Sequence, residues 1–380
     1  MKNLKYSGGD LIGSGSFGCV FHPAIKCKGQ KNIDKDTVSK IFFSSESKQE
    51  ALEEMKIDNI IRKIKGNTQW AHIWDKNCIP NKYSDIQENE PKIEQCIYDN
   101  RLSEYDFNKY RRMLQGTYAG VPMDHVFDDL FKKSVFKKKE LFVKNFLQMM
   151  RLMKPLFIGL VEMHKNNISH NDIKFDNIMI DGDGCKFIDF GLAAKTDHLK
   201  FYKQRSMSEF VSDRIYPPYP YEFIYLFADN DVLQDELEDK EYDIYRDLHD
   251  RYQLVHESVF KRQKLKEYLI GLIDISKDGG LLKDKHEIIS LIDTYSVGIL
   301  IPYALVKMAK KYNQLNLFLN YVNSPKVNSF FDLFKSMSEP DFHNRMNPED
   351  AYNRYLELDI LYLSKKTNKK PIKRTNRRVR

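Results

Sequence analysis

The feature that most narrows what this chain can become is one run of reactive side chains. It reads Ile168-Ser169-His170-Asn171-Asp172-Ile173-Lys174-Phe175-Asp176-Asn177, with Ile188-Asp189-Phe190-Gly191 close behind. Two carboxylates (Asp172, Asp189), an amide (Asn177) and an ammonium (Lys174) fall within about twenty residues, the make-up of a catalytic loop followed by a metal-holding turn. A loop aspartate more commonly just caps a turn, so the other parts of the chain have to decide. Between the two clusters, Asp181-Gly182-Asp183-Gly184 signals a turn joining short strands at Ile178-Met179-Ile180 and Lys186-Phe187-Ile188.

Length allows one large domain or two lobes with ample core. No run of about eighteen apolar residues occurs, and the N-terminus lacks the apolar stretch of a signal peptide, so an intracellular, cytoplasmic placement without membrane contact is expected. The net charge of +7 is uneven: residues 365–380 carry nine Lys or Arg and no acid, and the rest holds 52 basic against 54 acidic groups. That tail reads as a solvated, disordered extension, and contact with nucleic acid or acidic surfaces, or nuclear import, are its other readings. Five scattered cysteines (Cys19, Cys27, Cys78, Cys96, Cys185), with no C-x-x-C, are expected to be reduced thiols.

Upstream, Leu11-Ile12-Gly13-Ser14-Gly15-Ser16-Phe17-Gly18-Cys19-Val20 has G-x-G-x-x-G-x-V spacing. Val20-Phe21 and then Pro23 favour a hairpin over the strand-to-helix turn of a dinucleotide site. Its glycines would let backbone N–H groups approach phosphate oxygens. Thr37-Val38-Ser39-Lys40-Ile41-Phe42-Phe43 reads as a strand whose alternation turns Lys40 inward with Val38 and Phe42. An inward ammonium needs an anion. Residues 46–65 carry Leu52, Met55, Ile57, Ile60, Ile61 and Ile64 at helical spacing. Residues 66–108 fit one strand plus an insertion. Residues 141–166 carry a broad apolar stripe of core positions, with Pro155 as a kink or boundary.

Taken in order, these parts resemble the eukaryotic protein-kinase family. The resemblance rests on the glycine hairpin, the strand lysine, a helix glutamate, H-x-D-x-K-x-x-N, D-F-G, the Pro-rich stretch ending at Glu222, Asp293-Thr294-Tyr295-Ser296-Val297-Gly298 and a late Arg345, in register over roughly residues 11–352. It implies an α+β, bilobal fold: a small antiparallel-sheet N-lobe with one helix (1–118, insertion about 66–108), a larger, mainly helical C-lobe (119–360, helical insertion about 229–290) and a basic tail (361–380). The length and the insertions look most like the divergent kinases of large DNA viruses, which would place the protein in host cytoplasm or virion.

The resemblance also implies roles. Ile12, Gly13, Ser14, Gly15, Ser16, Phe17, Gly18, Cys19 and Val20 would cover ATP. Lys40 would bridge its phosphates and a helix glutamate, with Glu54 preferred over Glu50 and Glu53. Gln115 would back the adenine pocket, with Gly116 and Tyr118 bonding the adenine edge. Asp172 would be the base, Lys174 would neutralise the phosphoryl group and mark a Ser/Thr protein substrate, and Asn177 and Asp189 would hold Mg2+. His170 would pack and hydrogen-bond, Asp293 would fix the catalytic loop, and Glu222 would pair with Arg345. Asn171 stands where the family's phosphate-binding arginine is usual, which implies activity without activation-loop phosphorylation; Ser206, Ser208 and Ser212, expected in an exposed loop, are candidate phosphosites, though serine there is unremarkable. The rival readings are a small-molecule kinase, which Lys174 and the Glu222–Arg345 pair disfavour, and a non-catalytic pseudokinase scaffold, which the presence of Lys40, Asp172, Asn177 and Asp189 disfavours.

Overall fold

A computed structural model of the chain describes residues 9–15, 18–87, 92–182, 184–211, 218–227, 254–262, 265–277 and 279–364. Ser16, Phe17, Ser212, residues 229–253 of the insertion expected over 229–290, and residues 365–380 of the basic tail lie outside these residues. Strands β1 (Asp10–Gly15), β2 (Gly18–His22), β3 (Thr37–Phe42), β4 (Lys76–Cys78) and β5 (Arg112–Thr117) form one antiparallel sheet in the order β1-β2-β3-β5-β4. The Gly-rich run closes the first hairpin. Gly18 has φ +134° there, and a Cβ would lie 2.1 Å from the Ile41 carbonyl oxygen, so only glycine fits.

Helix α1 (Ser47–Ile61) packs Ala51 against one face of the sheet, beside Phe42 and Leu114. The other face is not solvated. Helices α2 (Tyr83–Gln87), α3 (Ile93–Asp99) and α4 (Glu104–Tyr110) cover it, so that Ile86, Ile93, Cys96 and Phe107 form a second core with Phe21, Ile41 and Met113. This accounts for residues 38–42 of β3 all being buried. The expected insertion is therefore the outer wall of the N-lobe.

Two disulfides tie that wall down: Cys19–Cys96 joins β2 to α3, and Cys27–Cys78 joins the β2–β3 connection to β4. The expectation of reduced thiols is corrected. The pairing residues lie 77 and 51 positions apart and meet only through the fold, so no local spacing announces them. Cys185 alone is a free, buried thiol.

The C-lobe opens with strand β6 (Val121–Pro122) and helix α5 (Met123–Leu130), adds strand β7 (Ile168–Ser169) further on, and has a core that runs through the chain from Ile57 to Leu363. The stripe expected over 141–166 is two helices, α6 (Lys139–Leu152) and α7 (Lys154–Lys165), with Pro155 in the first turn of the second, where its missing N–H costs nothing. Strands β8 (Ile178–Asp181) and β9 (Gly184–Phe187) pair around the expected turn. Two further helices frame the catalytic region. The helix Ile292–Lys311 carries Asp293 in its first turn. A helix not anticipated from the sequence, α8 (Leu199–Val211), lies in the segment after Asp189, and Ser206, expected in an exposed loop, is buried on it with its hydroxyl donating to the Ile224 carbonyl at 3.2 Å.

Candidate active site

Three elements converge on the Lys40 ammonium. Strand β3 brings Lys40, α1 brings Glu54, and the turn after β9 brings Asp189. Nζ lies 3.0 Å from Glu54 Oε2 and 2.7 Å from Asp189 Oδ1. Glu54 faces Lys40, while Glu50 accepts from Ser44 and Glu53 from Gln49. Burial works against the Lys40 charge, but Asp189 and Glu54 more than offset it and hold the ammonium above its ordinary value. Burial also acts on both carboxylates. It wins at Glu54, whose pKa is raised, whereas at Asp189 the attraction of Lys40 prevails and the pKa is lowered. Asp189 sits at φ +59°, and Gly191 follows so closely that a Cβ there would lie 3.2 Å from Asp189 Oδ1 and 3.3 Å from Glu54 Oε2. Aspartate tolerates the left-handed conformation better than most residues.

The second cluster is built by the loop from Ser169 to Asn177. Lys174 Nζ lies 2.9 Å from Asp172 Oδ2, and Asn177 Nδ2 donates to Asp172 Oδ2 at 2.7 Å and to its carbonyl oxygen at 2.9 Å. With its N–H so used, Asn177 has an oxygen to offer a cation. The loop is held from behind by Asp293, which accepts the His170 N–H at 2.6 Å and the Asn171 N–H at 3.0 Å. Burial raises the Asp293 pKa against the pull of His170 and these donors. His170 bonds the Ile188 carbonyl at 3.1 Å and packs on Phe190.

Asn171 adopts φ +61° and spends its side chain on the loop itself. Nδ2 donates to the carbonyls of Ser169 and Leu192 and to Tyr202 Oη on α8. Its own carbonyl accepts from Tyr219 Oη at 2.6 Å, and Arg205 Nε donates to that hydroxyl at 3.0 Å. Neutral hydrogen bonds thus link the catalytic loop to the following segment. Further on, Arg345 Nη1 meets Glu222 Oε1 at 2.6 Å with both side chains fully buried, and Arg345 also donates to the Glu339 and Pro340 carbonyls.

Not every expected residue lands in the site. Val20 is paired with Lys40 across β2 and β3, so it shares the Lys40 face, while Cys19 is paired with Ile41 and points to the other. The Cys19 side chain is buried in its disulfide, so only its main chain lies along the loop expected to cover ATP. Gly13, Ser14 and Gly15 line the hairpin, with Ile12 exposed. Strand β5 extends to Thr117, so Gly116 is a ladder residue opposite Val38, beside the Trp74 ring. The Tyr118 N–H is already engaged by the Asp36 carbonyl at 2.7 Å. Of the backbone groups expected to bond the adenine edge, the Tyr118 N–H is thus spent on the residue before β3. Gln115 is buried, and its amide donates to the Ile25 carbonyl.

One residue of this region carried no sequence signal: Trp74, whose indole Nε1 donates to Glu54 Oε1 at 2.6 Å. A lone tryptophan in an irregular stretch is indistinguishable from a core aromatic.

Residues 6–218 match the family described as Protein kinase domain. The calcium-dependent protein kinase 4 of Plasmodium berghei is 24% identical over 208 residues, covering 53% of this chain and 31% of that protein. A probable serine/threonine-protein kinase of Fowlpox virus is 26% identical over 203 residues, 51% of this chain and 57% of its own length. A shorter stretch of 59 residues is 42% identical to the CTD kinase subunit alpha of Saccharomyces cerevisiae, covering 15% of this chain and 11% of that protein. The chain thus spans less than two thirds of each of these relatives. Among the described residues, no helix is long and apolar enough to cross a membrane.

Proposed function

The chain belongs to the protein kinase family, and from that premise we propose that it transfers the γ-phosphoryl group of Mg·ATP to Ser or Thr hydroxyls of protein substrates. The observation that carries this reading is the Lys40 ammonium held between Glu54 and Asp189. A buried cation with two carboxylates is an arrangement for orienting phosphate and metal, and a fold needs no such excess of acid for its own sake.

In this reading Lys40, fixed by Glu54, grips the nucleotide phosphates. Asp172 accepts the proton of the attacking hydroxyl as the oxygen–phosphorus bond forms and the bond to the ADP oxygen breaks. Lys174, now 2.9 Å from Asp172, is placed to reach the transferring group and balance its charge. Asp189 and Asn177 supply hard oxygen donors, which suit magnesium. Bound magnesium would neutralise phosphate charge. The Gly13–Gly18 hairpin would close over the phosphates with backbone N–H groups. The links from Asn171 to Tyr202 and Tyr219 support activity without activation-segment phosphorylation.

Transfer from labelled ATP, offered a generic basic protein and a panel of small hydroxyl compounds, tests this. Asp172→Asn is expected to lower protein phosphorylation by about 10²–10⁴-fold with ATP affinity nearly unchanged. Label appearing only on small molecules would overturn the protein-substrate reading. ATP binding without transfer by the unaltered chain would leave a scaffold.

A further inference from the structure

Both oxygens of the Glu54 carboxylate are engaged. Oε2 faces Lys40 at 3.0 Å, and Oε1 accepts from the Trp74 indole at 2.6 Å. Trp74 holds α1 at two more points. Its main-chain N–H donates to Asp58 Oδ2 at 2.9 Å, one turn beyond Glu54, and its carbonyl accepts from Arg62 Nη2, one turn further. A single residue therefore touches three successive turns of the helix face that carries Glu54.

The segment bearing Trp74 is itself anchored on both sides. The His72 N–H donates to the Phe187 carbonyl at 2.9 Å, two residues before Asp189, and the Asp75 N–H donates to the Gln115 carbonyl at 2.9 Å in β5. Gly116 leaves room for the indole, since a Cβ there would lie 3.3 Å from the Trp74 ring. A carboxylate gripped at one oxygen by Lys40 alone could turn about its terminal torsion, and α1 could roll. The indole closes both freedoms.

We infer that Trp74 is a positioning residue: a latch that fixes Glu54, and through it Lys40, in the arrangement used for transfer. The inference rests on the function proposed above. It adds that α1 is set by a hydrogen bond within the N-lobe and needs no partner protein or phosphate to seat it.

The test is a double-mutant cycle on the full chain with Trp74→Phe, Glu54→Gln and the pair. Phenylalanine keeps a ring in place and leaves both main-chain bonds to α1, losing only the indole N–H. Trp74→Phe is expected to lower kcat about tenfold, the size a hydrogen bond to a charged group carries, with KM for the protein substrate unchanged. In the Glu54→Gln background it should cost clearly less, because the amide oxygen is a neutral, weaker acceptor and no longer holds Lys40 as a counter-charge. Hydrogen exchange along residues 50–62 should rise in Trp74→Phe at an unchanged melting temperature, and this readout does not depend on transfer. Should Trp74→Phe melt early, Arg62→Ala, which releases the Trp74 carbonyl, takes its place in the same cycle. Equal losses in both backgrounds, or unchanged exchange in α1, would overturn the latch. Absence of transfer by the unaltered chain would overturn the proposed function and leave the exchange result to judge the latch.

Discussion

The ion sites at Lys40 and at Arg345 are both buried and of opposite character. Around Lys40, two carboxylates share one ammonium, so acid is in excess, and the Asp189 side chain remains 34% exposed. Around Arg345, one carboxylate meets one guanidinium, both side chains are at 0% exposure, and carbonyls of Glu339 and Pro340 take up further N–H groups. The second is closed and charge-balanced, with only the buried Glu222 Oε2 left without a partner among the described residues. The first is unbalanced and partly open, which is costly unless a further cation is to be met there. Burial and short distance alone do not distinguish a structural pair from a working one; the surplus of charge and the open side do.

The sharpest way to break this contrast is to remove each cation. Lys40→Met should reduce phosphoryl transfer to background while the protein still melts cooperatively, as followed by transfer assay and circular dichroism. A variant with full activity would remove Lys40 from the site. Arg345→Ala should instead act on stability, by about 3–5 kcal/mol, because it strands a buried carboxylate. Denaturant titration measures this, and a loss under about 1 kcal/mol would show that the pair holds little.

The smallest effect is in the pH dependence, where the sites should differ in sign. Lys40 holds the Asp189 pKa below its ordinary 3.8, so its stabilisation is present above that value and is lost as pH falls through the lowered one. Burial, against the pull of Arg345, holds Glu222 above its ordinary 4.5, so its contribution favours the fold below that value and is lost as pH rises through the raised one. Melting temperatures from pH 3 to 7 should show a smaller acid-side loss in Asp189→Asn and a smaller decline above pH 4.5 in Glu222→Gln. Parallel curves would refute the difference.

How far the sequence could be read follows the same division between local and distant. Asp172, Lys174, Asn177 and Asp189 stand close in the chain, and their chemistry shows in their spacing. Lys40 could be turned inward by strand alternation alone. Glu54 needed the family pattern, because Glu50 and Glu53 lie on the same helix and only packing chooses among them. The outer wall of the N-lobe was legible only as irregular sequence, because its short helices are stabilised by Phe107 and Ile93 meeting the sheet rather than by any periodicity of their own. Trp74 and the two disulfides stayed hidden because each acts on residues distant in the chain. That the Tyr118 N–H is taken by the Asp36 carbonyl, just beyond the β3–β5 ladder, cannot be inferred from residue types.

The two disulfides have a further consequence, a topological one. The Cys27–Cys78 ring lies wholly inside the Cys19–Cys96 ring, and Lys40, Glu54 and Trp74 lie inside both. In the oxidised, unfolded chain these three residues remain on the same closed loops, and the entropy of bringing them together is already reduced. Asp189 lies outside both rings and must find Lys40 by the free motion of an open chain. Once the fold has brought the cysteines together, one half of the site stays confined by covalent bonds through any later unfolding, and the return of Asp189 is what completes it.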